Sequence, residues 1–309
     1  MSLAPFPIQP ELTAVAIAYR NSALIADGVL PRIAVGKQEF KYSKATLADA
    51  FTVPDTKVGR KSQPNQVETS GTEVTSSTND YGLDDPIPQN DIDNASAGQN
   101  LLGESTQFLT DLIMLDREVR TAALVFDTNQ YATANKVTLS GTTQWSDFAN
   151  SDPVAAHLAG LDSMIMRGNV GVYGRTTWTK LSTHPKICKA IFGNNTDAGI
   201  VSRQAFAELF ELEEVLVGEG WLNTARKGQA PVMTRVWGKH AALLHRNKLA
   251  TNQRGTTFGF TAQFGNRIAG SQVDGNIGLR GGQMVRVGES VKEVITANDL
   301  GYFFQNAVA

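Results

Sequence analysis

The chain has 309 residues, 41% of them hydrophobic and 19% charged, with a formal net charge of −2. That is enough material for a sizeable core in one large domain or two modest ones. The near-neutral balance, with no basic tail and no consecutive block of like charge, argues against a protein that condenses nucleic acid by neutralising phosphates. The single cysteine, Cys188, cannot form an internal disulfide, which points to a reducing compartment. The apolar run at residues 12–19 is too short and wrongly flanked for a signal peptide. No stretch approaches the roughly 20 apolar residues of a membrane span. The expectation is a protein made and kept in a cytoplasm, with no membrane partner.

Residues 11–27 read as a first helix, closed by Gly28 and Pro31. Residues 33–42 alternate weakly and read as a strand. From Pro54 to about Asn90 the chain is almost free of large apolar residues. Val58, Val67, Val74, Tyr81 and Leu83 stand isolated among Thr, Ser, Gln, Asn and charge. Within it, residues 67–74, with Gly71 in the middle, read as part of an extended and mostly polar hairpin. Its apex region carries Lys57, Arg60 and Lys61 against Asp55. Composition leaves two readings open. The stretch is a solvated, disordered loop, or it is an arm built to lie on another subunit, since long loops in compact domains are usually functional or disordered.

From Asp91 to Asp127 no proline appears, and Leu101, Phe108, Leu112, Leu115, Val119, Ala122 and Phe126 recur at helical spacing. The pattern predicts a helix over residues 94–126, roughly 50 Å long. Its core face is expected to consist of Phe108, Leu112, Leu115, Val119 and Phe126. Gly98 and Gly103 weaken its first turns. Asp116 and Arg120 are placed for an i,i+4 pair of minor energetic weight.

Residues 136–140 read as a strand. Asp152 and Pro153 open a helix to residue 166, with Leu158, Leu161 and Ile165 on one face. Residues 170–173 read as a short buried strand, and residues 176–192 as a helix interrupted near Pro185. A helix at 204–210 leads into strands at 214–217, 232–237 and 241–245. Toward the C-terminus, strand-like runs at 257–264, 284–287, 291–296 and 301–308 alternate with glycine. There is no internal repeat. The fold class is α+β with a central α/β-like portion.

The search for chemistry is thin. Gly36-Lys37-Gln38 and Gly238-Lys239-His240 do not make a phosphate-binding loop, and Gly218-Glu219-Gly220 lacks the third glycine of a dinucleotide fingerprint, having Asn223 instead. Asp91 and Asp93 suggest the opening of a calcium loop, but Ala95 occupies the third ligand position and no acid closes it. His157, His184, His240 and His245 have no zinc-site spacing. Cys188, beside Ile187 and Ile191, reads as a small core residue. No glycine-framed nucleophilic serine is present. The sequence gives no reason to expect an enzyme, a metal or a cofactor.

Four segments, in order, resemble the major capsid proteins of tailed double-stranded DNA bacteriophages, with Mu-like head subunits as the nearest group. The first is Ile25-Ala26-Asp27-Gly28-Val29-Leu30-Pro31, followed by Lys37-Gln38 and Lys41-Tyr42. The second is the 94–126 helix with Arg117-Glu118. The third is Val172-Tyr173-Gly174-Arg175-Thr176-Thr177-Trp178, running on to His184-Pro185. The fourth runs from Leu209-Phe210 through Val215-Leu216-Val217-Gly218 and Asn223-Thr224-Ala225 to Val236-Trp237-Gly238-Lys239. The resemblance spans most of the chain, and the joint order of the motifs carries it.

The resemblance implies the tailed-phage major capsid fold. Residues 1–31 would form an N-terminal arm, 32–90 an extended E-loop with its supporting strands, and 91–150 a peripheral domain with a long spine helix. Residues 151–250 would form an axial domain, and 251–309 the return strands of both domains. The polar stretch falls where the E-loop belongs, which favours an ordered intersubunit arm over a disordered loop. The implied function is a structural head protein that assembles through hexamers and pentamers into an icosahedral shell. That shell encloses double-stranded DNA without sequence-specific binding, and the protein resides in the virion capsid after assembly in the host cytoplasm. Lys57, Arg60 and Lys61 are then candidates for salt-sensitive contacts with acids of a neighbouring subunit, and Asp84, Asp85, Asp91 and Asp93 offer one acidic surface. A separate scaffolding protein is implied, since no charged coiled-coil segment precedes the arm, as are a portal and a decoration protein. The lysine–asparagine cross-link of some relatives has no match here and is not carried over. Two alternatives remain: an encapsulin-like compartment shell, and a soluble α/β domain with a disordered loop.

Overall fold

The computed structural model describes residues 6–44, 52–66, 72–193, 198–226, 228–252 and 255–309. Two sheets organise them, joined by one long helix. The first sheet has the order β1 (Arg32–Val35), β11 (Gly259–Asp274), β12 (Gly282–Ile295) and β4 (Asn79–Pro88). β11 and β12 form a long antiparallel hairpin in which the separate runs expected at 284–287 and 291–296 are one strand. A bulge between Phe264 and Ile268, with Gly265 at φ 67°, shifts the register. Arg267, inside this bulge, is buried. β4 is an edge strand, and Pro86, Pro88, Asp80, Asp84 and Asp85 lie along it.

The strand expected at 33–42 is two strands. β1 ends at Val35, and β2 (Glu39–Lys44) pairs antiparallel with β3 (Thr72–Ser77) in a separate polar ribbon. Phe40 and Tyr42 fix its base, Tyr42 meeting Phe260 edge-on at 6.2 Å between ring centroids. The ribbon leads out to an exposed tip at residues 52–66. The predicted leg from Val67 to Gly71 lies outside the described residues.

The first helix is also shorter than expected. α1 (Pro10–Ala18) ends because Tyr19 turns to ψ 133°, and the Asn21 side chain then accepts from the Ala23 N–H at 3.0 Å, redirecting the chain into the short α2 (Ala26–Val29). After α3 (Gln89–Asp93) comes the long α4 (Leu101–Val125). It starts later than the predicted residue 94 because Gly98 takes φ 94°, and Asn100 caps the helix by accepting from the Gly103 N–H at 3.0 Å.

The apolar stripe assigned to the core face of α4 is corrected at Phe108 and Leu112, whereas Phe126 at its end does pack on the core, stacking on Phe303 at 5.6 Å and meeting Trp237 edge-on at 5.2 Å. Phe108 is 60% exposed and Leu112 38%, while Leu115, Val119 and Phe126 are only partly buried. The buried face carries Leu109, Ile113, Met114, Ala122 and Val125 together with Thr106, Thr110, Arg117, Glu118 and Thr121. At about 100° per residue these two faces lie on opposite sides of the helix. The buried face packs on Leu12, Ala16, Val285 and Val287 near its start, and on Val172, Ala242 and Phe303 near its end.

The second sheet has the order β5 (Lys136–Thr138), β13 (Gly301–Gln305), β10 (Ala241–Leu244), β6 (Val170–Gly174) and β7 (Glu214–Gly218). β6 and β10 are buried along their whole length, as central strands covered on both faces must be. One face carries α5 (Pro153–Ser163), α6 (Arg175–Ser182), α7 (Pro185–Phe192) and α8 (Arg203–Phe210); the other carries α2 and the end of α4. Asp152 and Ser202 cap α5 and α8 by accepting from the Ala155 and Ala205 N–H groups. In α5 only Leu161 of the expected face is buried; Leu158 and the following Ile165 are exposed. A small ribbon of β8 (Trp221–Asn223) and β9 (Met233–Arg235) stands apart from both sheets.

Candidate assembly surfaces

The centre of the molecule is a buried charged node on α4. The Glu118 carboxylate is fully buried and accepts from the Ile25 N–H at 2.9 Å, the Ala26 N–H at 2.7 Å and the Trp237 indole N–H. Burial pushes its pKa up, against the pull of these donors and of Arg117. Arg117 pairs with Asp27 and donates to the Leu30 carbonyl at 3.2 Å and the Thr261 hydroxyl at 2.9 Å. Burial pushes the Asp27 carboxyl up, but Arg117 and Arg32 outweigh it and hold the group at about 2. Arg32 also pairs with Glu289 at 2.8 Å, and Arg267 reaches the same carboxylate at 3.0 Å. Two adjacent residues of α4 therefore tie the N-terminal segment, the first sheet and the Trp237 turn together. Such a node specifies one arrangement of these parts, because each member left alone would be a buried, unpaired polar group.

Outside this node, charge is segregated along the chain. Between Asp80 and Asp116 there are eight acids and no Lys or Arg. Asp84 is engaged by its own Arg286, with both contacts at 2.6 Å, and Asp85 accepts from Ser105 at 2.6 Å. Among the described residues no Lys or Arg pairs with Asp91, Asp93, Glu104 or Asp111. These acids flank the exposed Phe108 and Leu112 on α4 and on the segment entering it. The tip at residues 52–66 has the opposite character. Lys57, Arg60 and Lys61 are exposed there with no ion pair among the described residues, beside the exposed Val53 and Val58. The candidate cations thus gather on one exposed tip. Of the acids singled out in the sequence, Asp84 and Asp85 are already occupied within the subunit.

The histidines are structural. His184 Nδ1 accepts from the Lys186 N–H at 3.2 Å, so Nε2 carries the proton and donates to Ser151 Oγ at 3.1 Å. Ser151 in turn donates to the Asp147 carbonyl at 2.6 Å. This polarity is the reverse of a base activating a serine. His157 is buried between Trp145 and Phe210 and bonds the Pro153 carbonyl and the Tyr173 hydroxyl; burial lowers its pKa to about 4. Cys188 is buried in the same core. Among the described residues no three His, Cys, Asp or Glu are placed to hold a metal ion, and no helix is long and apolar enough to cross a membrane.

Sequence reasoning singled out Arg117-Glu118 as part of a motif but missed their burial, and it missed Trp237 as their partner. One signal was available. Leu109, Ile113, Arg117, Thr121 and Val125 recur every four residues, a second stripe that includes a charge and a threonine and so scores poorly as apolar.

No family model matches the chain. It is 60% identical over 309 residues to the major capsid protein of Pseudomonas phage JBD67, covering all of both chains. It is 27% identical over 307 residues to the major capsid protein of Burkholderia phage BcepMu, covering 96% of this chain and 95% of the relative. Among solved structures, a phage-related protein from Bordetella bronchiseptica RB50 matches with a TM-score of 0.77 at 21% identity, with 98% of each chain covered. The capsid of cyanophage P-SCSP1u matches with a TM-score of 0.60 at 9% identity, covering 99% of this chain and 93% of that one. The expected α+β capsid fold and the expected Mu-like relatives are both found. The chain belongs to the major capsid proteins of tailed bacteriophages, the structural proteins that form the shell of the viral head.

Proposed function

We propose that copies of this chain close the head shell by laying the β2–β3 ribbon and its basic tip, the E-loop, over the acidic outer side of α4, the spine helix, in the next subunit. In this reading the first sheet with α4 is the peripheral domain, and the second sheet with α5 to α8 is the axial domain that meets its copies in hexamers and pentamers. The carrying observation is the separation of charge just described. Among the described residues, Lys57, Arg60 and Lys61 of the tip and Asp91, Asp93, Glu104 and Asp111 have no ion pair within their own subunit, and each set is accompanied by exposed apolar side chains. A contact of this type buries apolar area and is salt-sensitive at its rim. It joins different patches of two subunits, which generates rings and closed shells.

The role is assembly without catalysis, and the enclosed double-stranded DNA is held by the closed shell, with no base readout. A scaffolding protein, a portal and a decoration protein are the partners such a shell calls for. The test is electron microscopy of the protein expressed with its neighbouring genes, comparing wild type with the double reversal Arg60→Glu, Lys61→Glu. Closed shells from wild type and loss of shells from the variant are expected. Unchanged shells in the variant would rule out the tip contact.

A further inference from the structure

The charge of the segments that build the helical layer over the second sheet falls in runs along the chain. Between Asp162 and Asp197 the chain carries cations and no Asp or Glu; between Arg203 and Arg226 it carries acids and no Lys or Arg. Lys186 and Lys189 of the first run lie on α7, which touches both α5 and α8, and elsewhere the runs meet, Arg167 pairing with Glu211 and Arg175 with Glu219. Gly160 brings α5 down onto Tyr302 and Phe304 of β13, whereas α8 packs over β7. In the order β13-β10-β6-β7 these positions are three strand spacings apart, about 14 Å.

At the α5 end, a groove of about 440 Å³ runs between α5 and α7. Val154, Ala155 and the exposed Leu158 form its apolar wall, and Lys186 and Lys189 its basic wall. Lys186 pairs with Asp152 at 3.2 Å, while Lys189 is exposed with no ion pair among the described residues. Where α8 turns toward β7, Glu208, Glu211 and Glu213 are all exposed. Of these three, Glu211 alone has a cation, Arg167 at 3.5 Å.

We propose that the α5–α7 groove receives the acidic end of α8 from a second copy of this chain, so that second-sheet domains meet head to tail through their helical layers. Charge complementarity selects the occupant. The groove offers an apolar wall and a lysine, Lys189, with no ion pair among the described residues, and the same chain presents exposed carboxylates at the end of α8. Groove and acidic end are different patches, so the contact is heterologous and repeats around a ring instead of stopping at a dimer. The inference rests on the shell reading but uses neither the basic tip nor α4.

The test is a charge swap in the full chain, read as the fraction of protein in capsomers or shells by sedimentation and electron microscopy. Lys189→Glu alone, and Glu208→Lys with Glu213→Lys, should each lower the assembled fraction by about tenfold, the effect of losing one modest contact. The combined variant should recover most of it. All three side chains are exposed, so thermal unfolding of the unassembled subunit should hardly move. Wild-type assembly in either single reversal, or no recovery in the combination, would overturn the proposal. So would normal shells from Lys189→Glu that lose their nucleic acid, since the groove would then face packaged phosphate. A wild-type chain that fails to assemble would instead count against the shell reading.

Discussion

The indole N–H of Trp237 donates to the buried carboxylate of Glu118, 119 residues earlier in the chain. The same carboxylate holds the Ile25 and Ala26 amides. Replacing Glu118 with Ala leaves three buried donors without an acceptor, at about 1–3 kcal/mol each. The expected outcome is a subunit that is insoluble or destabilised by several kcal/mol. Glu118→Gln keeps one acceptor oxygen and should fall between Ala and wild type. Urea denaturation of the unassembled subunit measures the order, and a Gln variant as damaged as Ala would mean that the charge, not the acceptor count, matters.

His157 predicts an acid sensitivity above the carboxylate range. Its folded pKa is about 4, against an ordinary 6.5, because burial disfavours the imidazolium. Between these values the unfolded chain binds the proton and the folded chain does not, so stability falls as the pH falls. The linked loss between pH 7.5 and 4.5 is about 2–3 kcal/mol. Asp27, held at about 2, stays charged over that window. Urea curves at the two pH values should differ by this amount in wild type, and by much less in His157→Phe.

Gly218 is fixed by contact. A Cβ there would lie 1.9 Å from the Trp237 ring, and one at Gly174 would lie 2.1 Å from the Gly238 carbonyl oxygen. Gly218→Ala must displace the fully buried Trp237 and with it the bond to Glu118. Soluble yield should collapse, whereas Gly36→Ala, where nothing lies within 4 Å, should behave as wild type.

The outward side of the spine helix separates folding from assembly. Phe108→Ser removes an apolar side chain that is 60% exposed in the isolated subunit. Subunit stability should change by less than about 0.5 kcal/mol, while shell yield falls. Parallel thermal unfolding and sedimentation check both halves of this expectation.

The order of elements was legible in the sequence because apolar alternation, the Asp152-Pro153 start and the Pro185 interruption are local signals. The side of α4 that faces the core was not legible. The apolar stripe of Phe108 and Leu112 reads as a core only if a helix spends its apolar side chains inside its own subunit. Here the inner face instead hosts Arg117 and Glu118, whose partners Asp27, Ile25 and Trp237 are distant in sequence. The engagement of Asp84 and Asp85 within the subunit was not legible for a related reason. The residues that occupy them, Arg286 and Ser105, become neighbours only through the β4–β12 pairing and the packing of α4.

The proline-broken, acidic outer margin of β4 has a consequence for how a head is built correctly. Backbone pairing between strand edges is cooperative and hard to undo, and it drives fibres once it begins. With that route blunted, attachment through side-chain contacts of the kind proposed above would be individually modest and releasable. A subunit that docks in the wrong place can then leave before its neighbours trap it, and the growing shell can mend its own errors.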